Sequence, residues 1–168
     1  TMGYDGAGQL VSSQAPNGEV TSLEWTSTGL LERETLAGGY FSDYGYDAAG
    51  RVTRVTSPSP TGTGTVDVVT GYSPRGEVVS VTNAHLSGAV SPPTSTFTYW
   101  PDGLLASSTS PLGGAHATVS YFYDARGNRT ERSSWTQATS TAAPHLVVDT
   151  WVYDLAGRVV RDRPAGDP

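Results

Sequence analysis

The chain has 168 residues, a net charge of −6, no Cys and no Lys, so all ten of its positive charges are Arg. That length holds one domain with a core and leaves little room for two. The acidic balance excludes a nucleic-acid-binding surface, the lack of Cys excludes a disulfide framework and Cys-ligated zinc, and no apolar run is long enough for a membrane-spanning helix.

Charged residues are only 15%, while Gly (20) and Pro (11) are frequent, which suits either a linker or a turn-rich all-β protein. Four Trp, nine Tyr and three Phe decide against the linker, because disordered chains are poor in aromatics. Thr1-Met2 reads as a junction, so the chain is expected to be a fragment, and no charged, apolar leader opens it.

One string recurs along the chain: an aromatic, usually Asp, two variable residues, then Gly. In order the copies are Tyr4-Asp5-Gly6-Ala7-Gly8, Trp25-Thr26-Ser27-Thr28-Gly29 and Tyr46-Asp47-Ala48-Ala49-Gly50. Then come Tyr72-Ser73-Pro74-Arg75-Gly76, Tyr99-Trp100-Pro101-Asp102-Gly103, Tyr123-Asp124-Ala125-Arg126-Gly127 and Tyr153-Asp154-Leu155-Ala156-Gly157. Successive aromatics are 21 to 30 residues apart, so residues 1–168 read as a single array of about seven hairpin repeats.

The string has a physical reading. Asp followed three residues later by Gly describes a type I turn whose carboxylate accepts a backbone N–H two residues on. Gly supplies the left-handed residue that completes a three-residue hairpin loop with a bulge. The aromatics should then pair with Leu10, Leu31, Val52, Val78, Leu105, Arg129 and Val159. On the other face Asp5 should pair with Gln9, Asp47 with Arg51, Asp124 with Asn128 and Asp154 with Arg158. Two residues before each aromatic, on its face, lie Met2, Leu23, Tyr44, Thr70, Phe97, Tyr121 and Trp151. These two columns are expected to form a buried ring stripe across successive hairpins, each cross-strand pair contributing roughly 0.2–1 kcal/mol. Between hairpins, stretches such as Ser57-Pro58-Ser59-Pro60-Thr61-Gly62, Ser91-Pro92-Pro93-Thr94 and Ser110-Pro111-Leu112-Gly113-Gly114 read as turns or surface loops. No segment has a helical apolar period, so an all-β chain is predicted.

The strings "YDAAGRV", "YDLAGRV" and "YDARGNRT" resemble the YD repeat of Rhs proteins. The copies at Trp25, Tyr72 and Tyr99 depart from that pattern. The family includes bacterial polymorphic toxins, wall-associated proteins, shell components of insecticidal toxin complexes and teneurins. The resemblance implies a twisted sheet of consecutive antiparallel hairpins that spirals as an open segment of a hollow shell. It makes the repeat positions structural: Tyr4, Asp5, Gly8, Trp25, Gly29, Tyr46, Asp47, Gly50, Arg51, Tyr72, Gly76, Tyr99, Gly103, Tyr123, Asp124, Gly127, Tyr153, Asp154, Gly157 and Arg158. The family's self-cleaving core segment carries an Asp-Pro-x-Gly motif. Asp167-Pro168 does not complete it, so self-cleavage is not carried over.

Other sites weigh less. His85, His116 and His145 are scattered and have no nucleophile elbow beside them. Each turn offers one carboxylate, too few for calcium, and Gly6-Ala7-Gly8 and Gly62-Thr63-Gly64 precede no helix that could hold phosphate. Trp100, Phe122 and Trp135 fall off the ring column and would either stack on sugars or pack on a neighbouring turn. Arg129, in an aliphatic position, is expected over the Tyr123 ring as a cation–π pair.

The resulting expectation is a non-enzymatic structural module with no cofactor and no metal. It is a piece of a YD-repeat shell in a larger secreted or cell-surface bacterial protein. Its partners would be the rest of that polypeptide and an enclosed C-terminal toxin domain, with edge-to-edge self-association. The alternative is an adhesion module that binds carbohydrate or a surface protein.

Overall fold

The computed structural model describes residues 1–59, 62–85, 92–111, 118–135 and 145–164. His116, Ser91, Leu112-Gly113-Gly114, Asp167-Pro168 and the side chain of His85 lie outside the described residues. Among the described residues, fourteen strands make seven hairpins around the aromatic-to-Gly strings. They are β1 (Met2–Tyr4) with β2 (Leu10–Gln14), β3 (Val20–Trp25) with β4 (Leu31–Thr35), and β5 (Phe41–Tyr46) with β6 (Val52–Pro58). They continue as β7 (Thr65–Tyr72) with β8 (Val78–His85), β9 (Thr94–Tyr99) with β10 (Leu105–Thr109), β11 (Thr118–Tyr123) with β12 (Arg129–Trp135), and β13 (Leu146–Tyr153) with β14 (Val159–Arg163). Strand order follows sequence order from β1 to β14 without a crossover. No α-helix occurs among the described residues. The chain divides into two compact units, Thr1–Gly71 with Val81–Pro92, and Tyr72–Ser80 with Pro93–Pro168.

Register follows from the loop. Tyr4 pairs with Leu10, Trp25 with Leu31 and Tyr46 with Val52 in the first unit. Tyr99 pairs with Leu105, Tyr123 with Arg129 and Tyr153 with Val159 in the second. Each of these ladders shifts register beside the aromatic, which is the bulge that a three-residue loop ending in left-handed Gly imposes. The hairpin at Tyr72 closes with the same loop bonds, Ser73 N–H to Glu77 O and Gly76 N–H to Ser73 O, at 2.8 and 2.9 Å.

The same loop appears where the repeat string does not. Ala15 N–H donates to Glu19 O and Gly18 N–H to Ala15 O between β2 and β3. Leu36 N–H to Tyr40 O and Gly39 N–H to Leu36 O close the turn between β4 and β5. These connections, which the sequence reading did not single out, thus obey the motif's backbone rule without its Tyr and Asp.

The ring stripe lies on one face but is not buried. In β3, Leu23 and Trp25 are half-buried while Ser22 and Glu24 are exposed. No hydrophobic residue among the described ones is fully buried, and Tyr4 is 59% exposed. The expectation of buried rings is corrected accordingly. A ring on a hairpin sheet is covered by the sheet below and by its lateral neighbours, and its outer side stays in water.

Candidate functional site

The loops show why Asp and Arg recur. Asp47 Oδ1 accepts the N–H groups of Ala49 and Arg51 at 2.9 and 3.0 Å, and its Oδ2 accepts Arg51 Nε at 2.7 Å. Asp154 does the same with Ala156 and Arg158, its Oδ2 accepting Arg158 Nε at 2.8 Å. Asp124 caps Arg126 and Asn128 and accepts Asn128 Nδ2 at 2.9 Å. Asp5 caps Ala7 and Gln9. The side-chain bonds from Arg51 to Asp47 and from Asn128 to Asp124 hold both carboxyls below the usual carboxylate range. At Asp154 the backbone N–H of Arg158 is the larger cause of the same shift. Where Asp is missing, a hydroxyl serves: Thr26 Oγ1 accepts Leu30 N–H, and Ser73 Oγ accepts the N–H groups of Arg75 and Glu77. The loop glycines Gly8, Gly29, Gly50, Gly76, Gly103, Gly127 and Gly157 all have φ between 76° and 89°.

A second device links one hairpin to the next. Trp25 Nε1 donates to Leu10 O at 2.8 Å, and Tyr46 Oη donates to Leu31 O at 2.7 Å. Tyr99 Oη donates to Val78 O at 2.8 Å and Tyr153 Oη to Arg129 O at 2.9 Å. In each case the acceptor follows the preceding repeat's loop, at the position that faces the preceding anchor ring. The ladder between β2 and β3 covers Ser12 to Gln14 and stops short of Leu10. The β4–β5 ladder starts at Arg33 and the β12–β13 ladder at Glu131. The carbonyls of Leu10, Leu31 and Arg129 thus lie past the end of the inter-hairpin ladder, and a ring O–H or N–H takes the place of the missing strand donor. Tyr4, with no preceding hairpin among the described residues, turns its Oη to Met2 Sδ at 3.4 Å instead. Sequence reasoning assigned the anchor rings to packing and missed this bond. The available signal was that all seven anchors are Tyr or Trp, while Phe41, Phe97 and Phe122 all lie elsewhere.

Arg129 does not sit over Tyr123. Its guanidinium lies 4.5 Å from the centroid of Trp151, on the next hairpin. Backbone pairing with Tyr123 uses up the in-strand neighbour, and the long side chain reaches the ring two residues before Tyr153. On the opposite face of the first unit, Asp43 pairs with Arg33, and Asp67 with Arg54 and Thr56. Asp67 is only 2% exposed, and the guanidinium bond from Arg54 leads the causes that keep its carboxyl low. Arg132 and Asp149 form a further pair at 2.9 Å. These cross-strand pairs, absent from the repeat string, replace the apolar contacts of a two-layer fold with polar ones.

The off-column rings separate. Trp135 is 48% exposed. Trp100 and Phe122 face each other with centroids 6.0 Å apart and planes at 48°. With Pro101, Asp102, Tyr123 and Asp124 they line an open cleft of 380 Å³. His145 is exposed. Among the described residues, no cluster of three or more His, Cys, Asp or Glu is placed to hold a metal ion.

Successive hairpins closed by one loop type, four of them joined to the preceding one by a ring-to-carbonyl bond, define a YD-repeat array. The model of the RHS repeat matches residues 4–40, 25–63 and 99–143, more than half of the chain. The chain belongs to the RHS repeat family. No curated protein matches it. Among solved structures, the crystal structure of TcdB2-TccC3-Cdc42 is similar over 95% of this chain, with a TM-score of 0.70 and 24% identity. TcdB2-TccC3 gives 0.68 and 24%, and TcdB2-TccC3 without its hypervariable C-terminal region gives 0.68 and 23%, over the same share. In each case the chain spans 9% of the length of the matched protein. The likeness is one of fold, and it agrees with the all-β consecutive-hairpin expectation.

Proposed function

We propose that the chain is a non-enzymatic structural module, a stretch of wall in a larger secreted or cell-surface bacterial protein. There it would enclose a C-terminal toxin or effector domain and keep it from the cell that makes it. The observation that carries this reading is the ring-to-carbonyl bond that passes from one hairpin to the next. At these four junctions the preceding hairpin supplies the acceptor for its successor's ring, so stability is distributed over neighbouring repeats. No single residue would then carry the function. The RHS repeat match and the fold shared with TcdB2-TccC3 support the same reading.

The test is limited proteolysis of the full-length parent polypeptide. Its C-terminal domain is expected to resist cleavage until the repeat array is denatured, whereas the same domain expressed alone is cut at once. Equal cleavage rates in the two contexts would reject enclosure. Saturable glycan binding together with an unprotected C-terminal domain would instead make the chain an adhesion module.

A further inference from the structure

We propose that the Trp100–Phe122 cleft is a docking site for a cationic side chain, arginine or lysine, of a partner polypeptide segment. Neither ring belongs to the anchor column. Phe122 lies between Tyr121 and Tyr123 and so points to the face opposite the anchor column. Trp100 stands where other repeats carry a capping Asp, Thr or Ser. Its loop closes without that cap, through Trp100 N–H to Leu104 O and Gly103 N–H to Trp100 O at 2.8 and 2.9 Å. Asp102 Oδ1 accepts Leu104 N–H at 3.1 Å in its stead. The indole is pinned by its Nε1–H on Tyr121 O at 3.1 Å, yet 40% of Trp100 and 41% of Phe122 remain exposed. A tilted ring pair therefore stands preformed in water.

The charge beside it selects the occupant. Asp102 and Asp124 both line the cleft, and neither belongs to an ion pair among the described residues. Arg126, on the same loop as Asp124, donates from Nη1 to Leu155 O at 2.7 Å. Asp124 is ionised at neutral pH, since the Asn128 bonds keep its carboxyl low. Arg75 donates from Nη2 to Pro101 O at 2.9 Å and Arg126 acts electrostatically on Asp124, so the two carboxylates are partly offset; the two π faces attract a cation through the ring quadrupoles, and Asp102 and Asp124 add to that attraction. A saccharide fits less well. The Asp124 oxygens already accept three donors, which leaves negative potential but few directed acceptors for hydroxyls. The chain's net charge of −6, with no Lys, favours a basic partner in the same sense.

The full chain, labelled with ¹⁵N, is titrated with N-acetylarginine amide and with tetramethylammonium chloride at low ionic strength. The four Trp indole resonances are followed, Trp100 being assigned from Trp100→Phe. The expected result is a saturable shift of the Trp100 resonance alone, with about tenfold weaker binding in Phe122→Ala, which leaves the Trp100 reporter in place. Asp102→Asn keeps the amide acceptor for Leu104 N–H, so its loop stays closed, and it should weaken both cations while the other indole resonances hold their positions. Neopentyl alcohol, the neutral analogue of tetramethylammonium, should not bind comparably. Equal binding of the alcohol, saturation by methyl glucoside in place of the cations, or no shift with either cation at millimolar concentration would each overturn the proposal.

Discussion

At the scale of single residues, the anchor ring does two jobs that a substitution can separate. Tyr46→Phe keeps the half-buried ring against Val52 and removes only the bond to Leu31 O. It should cost ~1 kcal/mol in a urea titration, the net worth of one hydrogen bond to a backbone carbonyl. Tyr46→Ala removes ring and bond together and should cost about 2–4 kcal/mol. Equal costs for the two variants would show that packing contributes nothing at this position. The turn carboxylates set the acid limb of stability. Asp47, Asp124 and Asp154, like Asp43 and Asp67, titrate below the usual carboxylate range in the folded chain. A lowered folded pKa means that the unfolded chain binds protons first. The stabilisation is complete above about pH 5 and is lost as pH falls through the lower, folded values. The urea midpoint should therefore hold from neutrality down to about pH 5 and drop as the pH falls below that, and Asp47→Asn combined with Asp154→Asn should flatten that drop. An unchanged slope in the double variant would mean that these two loops do not contribute to it.

At the scale of the hairpin, the glycine of the loop is the strict position. Gly50 has a φ of 76°, while the nearest atom to an added Cβ would be Leu30 Cδ1 at 3.9 Å. Space is open, so the cost of Gly50→Ala is purely the left-handed backbone, about 1–2 kcal/mol, and Gly50→Asn should recover part of it. Thermal midpoints of the two variants check this, and an Asn variant no better than Ala would point to sterics instead. How the sequence discloses its fold follows from the same local rule. Asp47 and Gly50 encode turn, bulge and register within five residues, so the pairing of Tyr46 with Val52 was legible. The turns at Ala15–Glu19 and Leu36–Tyr40 were less so, because they lack the aromatic and the Asp of the repeat string, although Asn17 Oδ1 accepts Glu19 N–H at 3.2 Å in the first and Gly18 and Gly39 take the left-handed position in the two. The Arg33–Asp43 and Arg54–Asp67 pairs were not legible at all. They depend on the register between different hairpins, which the lengths of the connecting turns fix and no local pattern announces. The same holds for Arg129, whose ring partner Trp151 comes from the following hairpin. The Trp100–Phe122 cleft was half-visible: both rings stood out by parity, but their meeting depends on how adjacent hairpins align.

At the scale of the whole molecule, a sheet assembled by addition has the edge of an unfinished template. Among the described residues β1 and β14 each have a neighbour on one side only in the strand order, and a row of outward N–H and C=O groups invites another strand. Repeat arrays without capping units tend to associate for this reason. The protective devices here are partial. β1 has three residues, too few to template a long strand. All five residues of β14 are exposed, Arg161 and Asp162 among them, and Pro164 follows directly. Charges of both signs on one short edge discourage an apolar partner, yet they suit an antiparallel copy of the same strand, in which Arg161 could oppose Asp162. Association of the isolated chain is therefore expected to be edge to edge, weak and salt-sensitive. Light scattering should give a mass that rises with concentration up to ~0.1 mM and falls back towards the monomer on adding salt. Reversing the edge charge with Arg161→Glu should lower the mass at the same concentration. A strictly monomeric mass throughout would show that β1 and β14 need no partner. A rise untouched by either salt or Arg161→Glu would move the contact away from the β14 edge.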